Sequence, residues 1–139
     1  MKTKKIISLL FMVVTTMAFF SCDKDDEEPV STIESYVGTY SGTENWTNGG
    51  NSYSKNVTVT ITKSSSANSL VLTFPFYGES ETLSITLDSN NSFKTSFVED
   101  YDGYTQTINV SGKFIYNSTI NFSYTTEGYV TKIVNATKL

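Results

Sequence analysis

The sequence contains no histidine and no arginine, and it has a single cysteine among its 139 residues. Enzymes that attack a substrate through serine or cysteine usually need a histidine as general base, and zinc sites usually need histidine or several cysteines. These absences exclude Ser-His-Asp and Cys-His catalysis and the usual zinc sites. Because no glycine-rich phosphate loop is present either, we predict that the protein is not an enzyme and needs no cofactor.

Basic residues are also few. Ten lysines stand against 14 acidic residues, which gives a formal net charge of −4, and beyond residue 5 the lysines are scattered along the chain. Nucleic-acid binding requires clusters of lysine and arginine that displace counterions from phosphates. We therefore exclude nucleic acid as a partner.

The sequence has one long apolar run, residues 6–20, which follows a basic start with lysines at positions 2, 4 and 5. A positive start, a short apolar run and a small residue at the cut are typical of a secretory signal peptide. The run is shorter than the roughly 20 residues that span a bilayer, which disfavours the alternative of a retained membrane helix. We predict a signal peptide over residues 1–21, with cleavage after the small Ser21.

Residues 19–22, Phe-Phe-Ser-Cys, resemble the lipobox of lipoproteins from the Bacteroidota. The resemblance implies that Cys22 receives lipid on its sulfur and becomes the first residue of the mature protein. A lone cysteine cannot form an intramolecular disulfide, and lipidation also removes a free thiol, which is a liability in an exported protein. The alternatives are a plain cleavage site and an exposed thiol.

A charged segment follows the cysteine. Such a composition cannot bury enough apolar surface to fold, so we predict an acidic tether over residues 22–33. In lipoproteins of the Bacteroidota a similar acidic run directs export to the outer face of the outer membrane, and the resemblance gives that role to Asp23, Lys24, Asp25, Asp26, Glu27 and Glu28. We expect a lipid-anchored outer-membrane protein exposed at the cell surface, with a periplasm-facing orientation as the alternative.

Residues 34–139 have the composition of an all-β domain, being rich in threonine, serine, asparagine, tyrosine, phenylalanine and valine. Apolar and polar residues alternate over short segments such as 57–62, and turn sequences such as Asp102-Gly103 separate the segments. We predict an antiparallel up-and-down meander of eight or nine strands that begins near Tyr36. Closure into a small barrel removes exposed sheet edges, and a β-sandwich is the alternative.

The last predicted strand has two interpretations. Either Val130, Val134 and Ala136 face the interior, or Tyr129 and Ile133 do, because the two sets lie on opposite faces of a regular strand. Period-2 alternation alone does not decide between them.

Residues 36–43, Tyr-Val-Gly-Thr-Tyr-Ser-Gly-Thr, resemble the start of small Bacteroidota lipoproteins with a calycin-like, or lipocalin-like, barrel. Residues 111–114 with 120–124 are similar to the penultimate hairpin of that family, and residues 136–139 are similar to its end. The resemblance implies a calycin-like barrel over residues 34–139. The chain departs from true lipocalins, because Tyr40 replaces the tryptophan of their Gly-x-Trp start and no arginine is present to cover it.

Aromatic residues provide the candidates for ligand binding, because tyrosine and tryptophan combine an apolar ring with a polar group. By strand parity Trp46, the single tryptophan, shares a face with Tyr40 and lies close to the turn at Asn48. We predict Tyr40, Trp46 and Tyr104 as ligand-binding residues of a non-catalytic module for a small apolar molecule or a glycan. The alternative is a protein-interaction role as an accessory subunit or inhibitor of an envelope enzyme, with an envelope protein as the partner. An open space of several hundred cubic ångströms would favour the ligand, and a filled barrel would favour the protein partner.

Acidic residues are the remaining candidates. Glu99, Asp100 and Asp102 lie close together, but they lack the regular spacing of oxygen ligands in a calcium loop. We interpret them as an exposed hairpin tip, and Glu79 and Glu81 as solvated surface. We predict no metal site.

Overall fold

The computed structural model describes residues 32–139, so the predicted signal peptide, Cys22 and the acidic run that follows it lie outside the described residues. A short 3-10 helix, Ile33–Tyr36, is followed by eight strands. These are β1 (Gly38–Asn48), β2 (Asn51–Lys63), β3 (Ser69–Phe76), β4 (Glu79–Thr86), β5 (Ser92–Tyr101), β6 (Tyr104–Ile115), β7 (Thr119–Thr126) and β8 (Tyr129–Lys138). Within residues 32–139 no helix has the length and apolar character needed to cross a membrane.

All eight strands form one antiparallel sheet with the order β4-β3-β2-β1-β8-β7-β6-β5. The first and last strands pair, so the sheet curves into a barrel that is closed everywhere except between β4 and β5. This confirms the predicted all-β up-and-down meander, and it excludes the alternative sandwich because there is one sheet and not two. The architecture is compatible with a calycin-like barrel.

Four two-residue turns lie at one end of the barrel, which we call the mouth. They are Gly49-Gly50, Tyr77-Gly78, Asp102-Gly103 and Glu127-Gly128, and all eight residues have positive φ. Two consecutive positive φ values are the conformation of the type I′ turn, whose twist matches that of the flanking strands. Glycine adopts this conformation without steric cost, which explains its presence at the second position of every turn.

The opposite end, which we call the closed end, is covered by the 3-10 helix. Tyr36 is 2 % exposed and packs on Phe114, with their ring centroids 4.5 Å apart. The Tyr40 hydroxyl donates a 2.6 Å hydrogen bond to the Tyr36 carbonyl, and Lys138 Nζ donates to the Ser35 carbonyl. The chain therefore enters the barrel at the closed end and seals that end with an aromatic side chain.

The interior between the two ends is filled by side chains. Inward positions of the strands carry the apolar residues that alternation predicted, among them Val59, Ile61, Leu72, Ile85, Ile108 and Ile120, each at most 1 % exposed. Nearer the mouth an aromatic cluster closes the core, with Phe74 packed on Phe122 and Tyr124 at centroid distances of 5.3 and 5.7 Å. The barrel is thus filled by a packed core from the closed end to its middle.

Two inward-facing glycines allow close approach of neighbouring strands. A Cβ atom on Gly42 would lie 2.6 Å from the Ala136 Cα atom, and one on Gly112 would lie 2.5 Å from the Phe122 Cβ atom. Both distances are too short for real carbon contacts. These positions accept only glycine because a neighbouring residue occupies the space of a side chain.

Strand β8 contains a bulge, and this bulge decides which of its residues face the interior of the barrel. Asn135 has a φ of 51°, and the pairing of β8 with both neighbours shifts register at this position. An extra residue in one strand reverses which face the following residues occupy. Ile133 is buried before the bulge and Ala136 after it, so each interpretation holds for one part of the strand.

Candidate functional site

A cavity of about 460 Å³ opens at the mouth, above the aromatic cluster. Residues from β1, β2, β7 and β8 form most of its lining, including Glu44, Trp46, Lys55, Tyr124, Thr126 and Tyr129. We call this space the mouth cavity. Its volume lies in the range of small-molecule sites, which is about 300–1,000 Å³.

The cavity exists because inward positions change from apolar to polar toward the mouth. Moving toward the mouth along β1, the inward positions pass from Tyr40 to Glu44. Moving toward the mouth along β6, they pass from Ile108 to Gln106. On β2 the inward position next to Val57 on the mouth side is occupied by Lys55. Polar and charged side chains do not pack into an apolar core, and a cavity remains in this part of the barrel.

Glu44 is the buried charged group of the cavity, and only 4 % of its side chain is exposed. Its Oε1 atom accepts a 2.6 Å hydrogen bond from the Tyr124 hydroxyl. Its Oε2 atom lies 2.8 Å from Lys55 Nζ, but this ion pair lacks hydrogen-bond geometry, so Oε2 accepts no hydrogen bond from any described residue. A buried carboxylate requires such compensation, since burying an unpaired charge is costly.

The Tyr124 phenol responds to this environment. Burial, and then the hydrogen bond to Glu44 and the negative charge of Glu44, raise the pKa of Tyr124 well above its usual range. The phenol therefore stays protonated over the physiological range and acts as a hydrogen-bond donor. Glu44 is held in place by a neutral donor on one side and a cation on the other.

Lys55 reaches Glu44 because the two residues are direct partners across β1 and β2. Strand β2 pairs with β3 only from Thr60 to Lys63, so the part of β2 that carries Lys55 extends beyond β3. The Lys55 side chain is accordingly 49 % exposed while its ammonium touches a buried carboxylate. The ammonium also lies 5.5 Å from the centroid of the Trp46 ring, a cation–π distance.

Aromatic rings surround this ion pair. Trp46 stacks on its cross-strand partner Tyr53 with centroids 5.5 Å apart and planes 15° apart. Tyr77 and Tyr129 also line the cavity and are 70 % and 60 % exposed. The Tyr77 hydroxyl lies 3.2 Å from the Thr126 hydroxyl, which ties the turn between β3 and β4 to β7. The mouth therefore combines exposed aromatic faces with buried polar atoms.

A second space of about 660 Å³ opens beside the mouth cavity, where the barrel is not closed between β4 and β5. Its acidic lining residues are Glu79, Glu81, Glu99, Asp100 and Glu127. No lysine is among the described residues that line it. We call this space the acidic cleft.

The mouth cavity and the acidic cleft adjoin each other, because Tyr77, Gln106 and Glu127 line both. Gln106 Oε1 is buried and has no hydrogen-bond partner among the described residues. The two spaces thus share a polar boundary that offers an unused hydrogen-bonding group.

The three residues predicted to bind a ligand lie in different places. Trp46 lines the mouth cavity. Tyr104 is 61 % exposed and lines the acidic cleft, where a hydrogen bond to the Glu127 carboxylate and the charge of that carboxylate raise the pKa of Tyr104. Tyr40 is fully buried at the closed end, and burial together with the adjacent Tyr36 raises the pKa of Tyr40 to about 12. The structure therefore brings Trp46 and Tyr104 to neighbouring spaces and separates Tyr40 from both.

Sequence reasoning missed Glu44 and Lys55, although a signal was present. A two-residue turn at Gly49-Gly50 fixes the register of the first hairpin and places Glu44 opposite Lys55. Parity then places both on the face that carries Tyr40. Opposite charges on the inward face of a hairpin indicate a polar site inside the barrel.

Among the residues that the structure describes, no group of three or more histidine, cysteine, aspartate or glutamate side chains is arranged to hold a metal ion. Comparisons with protein-family models, with curated proteins and with solved structures gave no match to this chain. The function is therefore inferred from the site.

Proposed function

We propose that the protein is a non-catalytic binding module that holds a saccharide in the mouth cavity. The observation that carries the proposal is the position of Trp46 beside the buried Glu44 in a space of about 460 Å³. A sugar ring has an apolar face of C–H groups and an edge of hydroxyl groups. The first stacks on an aromatic ring, and the second donates hydrogen bonds to carboxylate and amide oxygens.

The distribution of polar atoms favours a glycan over the small apolar molecule that was the other ligand class. Glu44 Oε2 and Gln106 Oε1 accept no hydrogen bond from a described residue, and both line the cavity. Both oxygens are buried, and an apolar ligand would offer them no hydrogen-bond donor, which costs about 1–3 kcal/mol for each group. Sugar hydroxyls supply the missing donors.

We also propose that the module is lipid-anchored to the outer membrane through Cys22 and displayed at the cell surface. Support comes from the resemblance of residues 19–22 to a lipobox and from the acidic run after Cys22. The described chain enters the barrel at the closed end, opposite the mouth.

Labelling with radioactive palmitate tests the anchor. Wild-type cells should incorporate label into this protein, and the Cys22→Ala variant should not. Equal labelling of the two would contradict lipidation. Protease treatment of intact cells should degrade a displayed domain, whereas complete protection would contradict surface exposure and leave the periplasm-facing alternative.

Isothermal titration calorimetry against a panel of neutral, amino and acidic oligosaccharides tests the binding function. Removing a ring on which a nucleobase stacks typically costs about 1–3 kcal/mol, and we expect a similar loss for a sugar face on Trp46, so Trp46→Ala should weaken the best ligand about tenfold or more. Tyr116→Ala is the matched control, since Tyr116 is 84 % exposed on the turn between β6 and β7, at the closed end. Binding to none of the oligosaccharides, or equal loss in both variants, would overturn the proposal.

A further inference from the structure

We infer that the mouth cavity contains a recognition site for a protonated amine, occupied in this structure by the protein's own Lys55, and that the ligand is an amino saccharide. The inference rests on the proposed function and names the class of saccharide. It depends on the arrangement of Glu44, Trp46 and Lys55 and on the charge of the adjoining acidic cleft.

The first argument is the geometry around the Lys55 ammonium. Its nitrogen lies 2.8 Å from Glu44 Oε2 and 5.5 Å from the centroid of the Trp46 ring. A carboxylate beside an aromatic face is the combination that binds ammonium groups, through ion pairing and cation–π attraction. The presence of Lys55 in this position shows that the site accepts an ammonium group.

The second argument is that Lys55 can leave. Its side chain is 49 % exposed, it belongs to a part of β2 that is not paired with β3, and its contact with Glu44 lacks hydrogen-bond geometry. Lysine has a long flexible stem whose ammonium is readily hydrated in water. Glu44, in contrast, is fixed by Tyr124 and is 4 % exposed, so it stays in place when Lys55 moves.

The third argument is the charge along the path from the site. The acidic cleft shares Gln106 and Glu127 with the mouth cavity. Its described lining residues include five carboxylates and no lysine, so the cleft is negatively charged. Charges within the Debye length of about 8 Å act on a bound ligand at physiological salt. A glycan that extends from the mouth into the cleft would be attracted through amino groups and repelled through uronate or sulfate groups.

Three tetrasaccharides with the same β-1,4 backbone provide a direct test, because they differ only in the group at carbon 2. These are the glucosamine tetramer with free amines, its N-acetylated form and the glucose tetramer. Titrations at about pH 6, where amines of this kind are protonated, can be followed by fluorescence of Trp46, the single tryptophan of the chain. We expect the free-amine tetramer to bind about tenfold more tightly than the glucose tetramer, which corresponds to about 1.4 kcal/mol.

Two substitutions separate the roles of the ion pair. Lys55→Met removes the internal competitor, so the affinity for the free-amine tetramer should rise about tenfold, which corresponds to about 1.4 kcal/mol, while the affinity for the glucose tetramer changes little. Glu44→Gln removes the carboxylate and should reduce the preference for the amine to the part that the acidic cleft contributes. Lys63→Met is the matched control, because Lys63 pairs with Glu34 at the closed end and should leave all three affinities unchanged.

Lys55→Met leaves a buried carboxylate without its cation and could unfold, so the double variant Glu44→Gln/Lys55→Met provides a second measurement. It should bind the glucose tetramer and show a smaller preference for the free-amine tetramer than the wild type does. Equal binding of all three tetrasaccharides by the wild type would overturn the amine inference and keep the saccharide proposal. Weaker binding of the free-amine tetramer by a folded Lys55→Met variant would also overturn it, and binding of no saccharide would overturn the proposed function itself.

Discussion

The closed end and the mouth of the barrel use the same strands for opposite purposes. At the closed end the inward side chains are apolar and tightly packed, with Phe114 1 % exposed beneath Tyr36. At the mouth, the inward positions of the same strands carry Glu44, Lys55 and Gln106, and a cavity remains. The closed end therefore contributes packed apolar core, whereas the mouth carries the polar cavity that we propose as a binding site.

The barrel thus carries a polar cavity at one end without extra loops. Burial of apolar area stabilises the closed end and the middle of the barrel, by about 25 cal/mol for each Å² removed from water. That stability allows the mouth to keep a charged group buried, which is unfavourable by itself. Each of the following predictions tests this division between the two ends.

The largest effect is expected at the closed end. Phe114→Ala removes the ring that contacts Tyr36, Tyr40 and Phe93, and it should lower the free energy of unfolding by about 3–5 kcal/mol. Tyr129→Ala at the mouth is the control, because its 60 % exposed ring should cost less than about 0.5 kcal/mol. Urea denaturation followed by circular dichroism measures both, and similar losses in the two variants would contradict the division.

A smaller effect is expected from the hydrogen bond beneath the cavity. Tyr124→Phe keeps the ring but removes the donor to Glu44, so it should lower the free energy of unfolding by about 1.5–3 kcal/mol, the range for hydrogen bonds to charged groups. Tyr53→Phe, whose ring is 45 % exposed, is the matched control and should be nearly neutral. If Tyr124→Phe were equally neutral, the carboxylate would not depend on this bond.

The smallest effect on the free energy of unfolding concerns the ionisation of Tyr40, because this effect appears only in alkali. Its pKa is about 12 in the folded chain, against an ordinary value of 10.0, so the folded state retains a proton that the unfolded chain loses first. This contribution to stability is complete below pH 10 and is lost as pH rises from 10 to 12. Tyrosinate absorbance, recorded together with circular dichroism, should show a late ionising component that shrinks in Tyr40→Phe. Ionisation of all tyrosines in one early step, with the fold intact, would contradict the burial of Tyr40.

Much of the fold could be predicted from the sequence, because strand alternation and turn chemistry are local. The turn at Asp102-Gly103 and the inward face of β2 follow directly from residue types at short spacing. The orientation of β8 did not follow, because a single residue with positive φ, Asn135, reverses the face in the middle of the strand. No local pattern marks that bulge.

The site was predicted only in part. Parity placed Trp46 on the inner face correctly, but parity gives no depth, so it did not distinguish Tyr40 at the closed end from a residue at the mouth. The acidic cleft was also missed. Glu79 and Glu99 lie on β4 and β5, which face each other only because the sheet closes through β1 and β8 and leaves these two edges free. Such neighbours are set by global topology and not by sequence spacing.

The four two-residue turns at the mouth affect how fast a ligand would exchange between the mouth cavity and water. A turn of this length has no segment that could fold over the cavity, unlike the loops that close over ligands in many proteins. Entry of the proposed ligand would therefore not wait for a loop to open, and its association rate would be set by diffusion, orientation and the displacement of the Lys55 side chain. The residence time of the proposed saccharide would then follow from the strength of its contacts with the cavity.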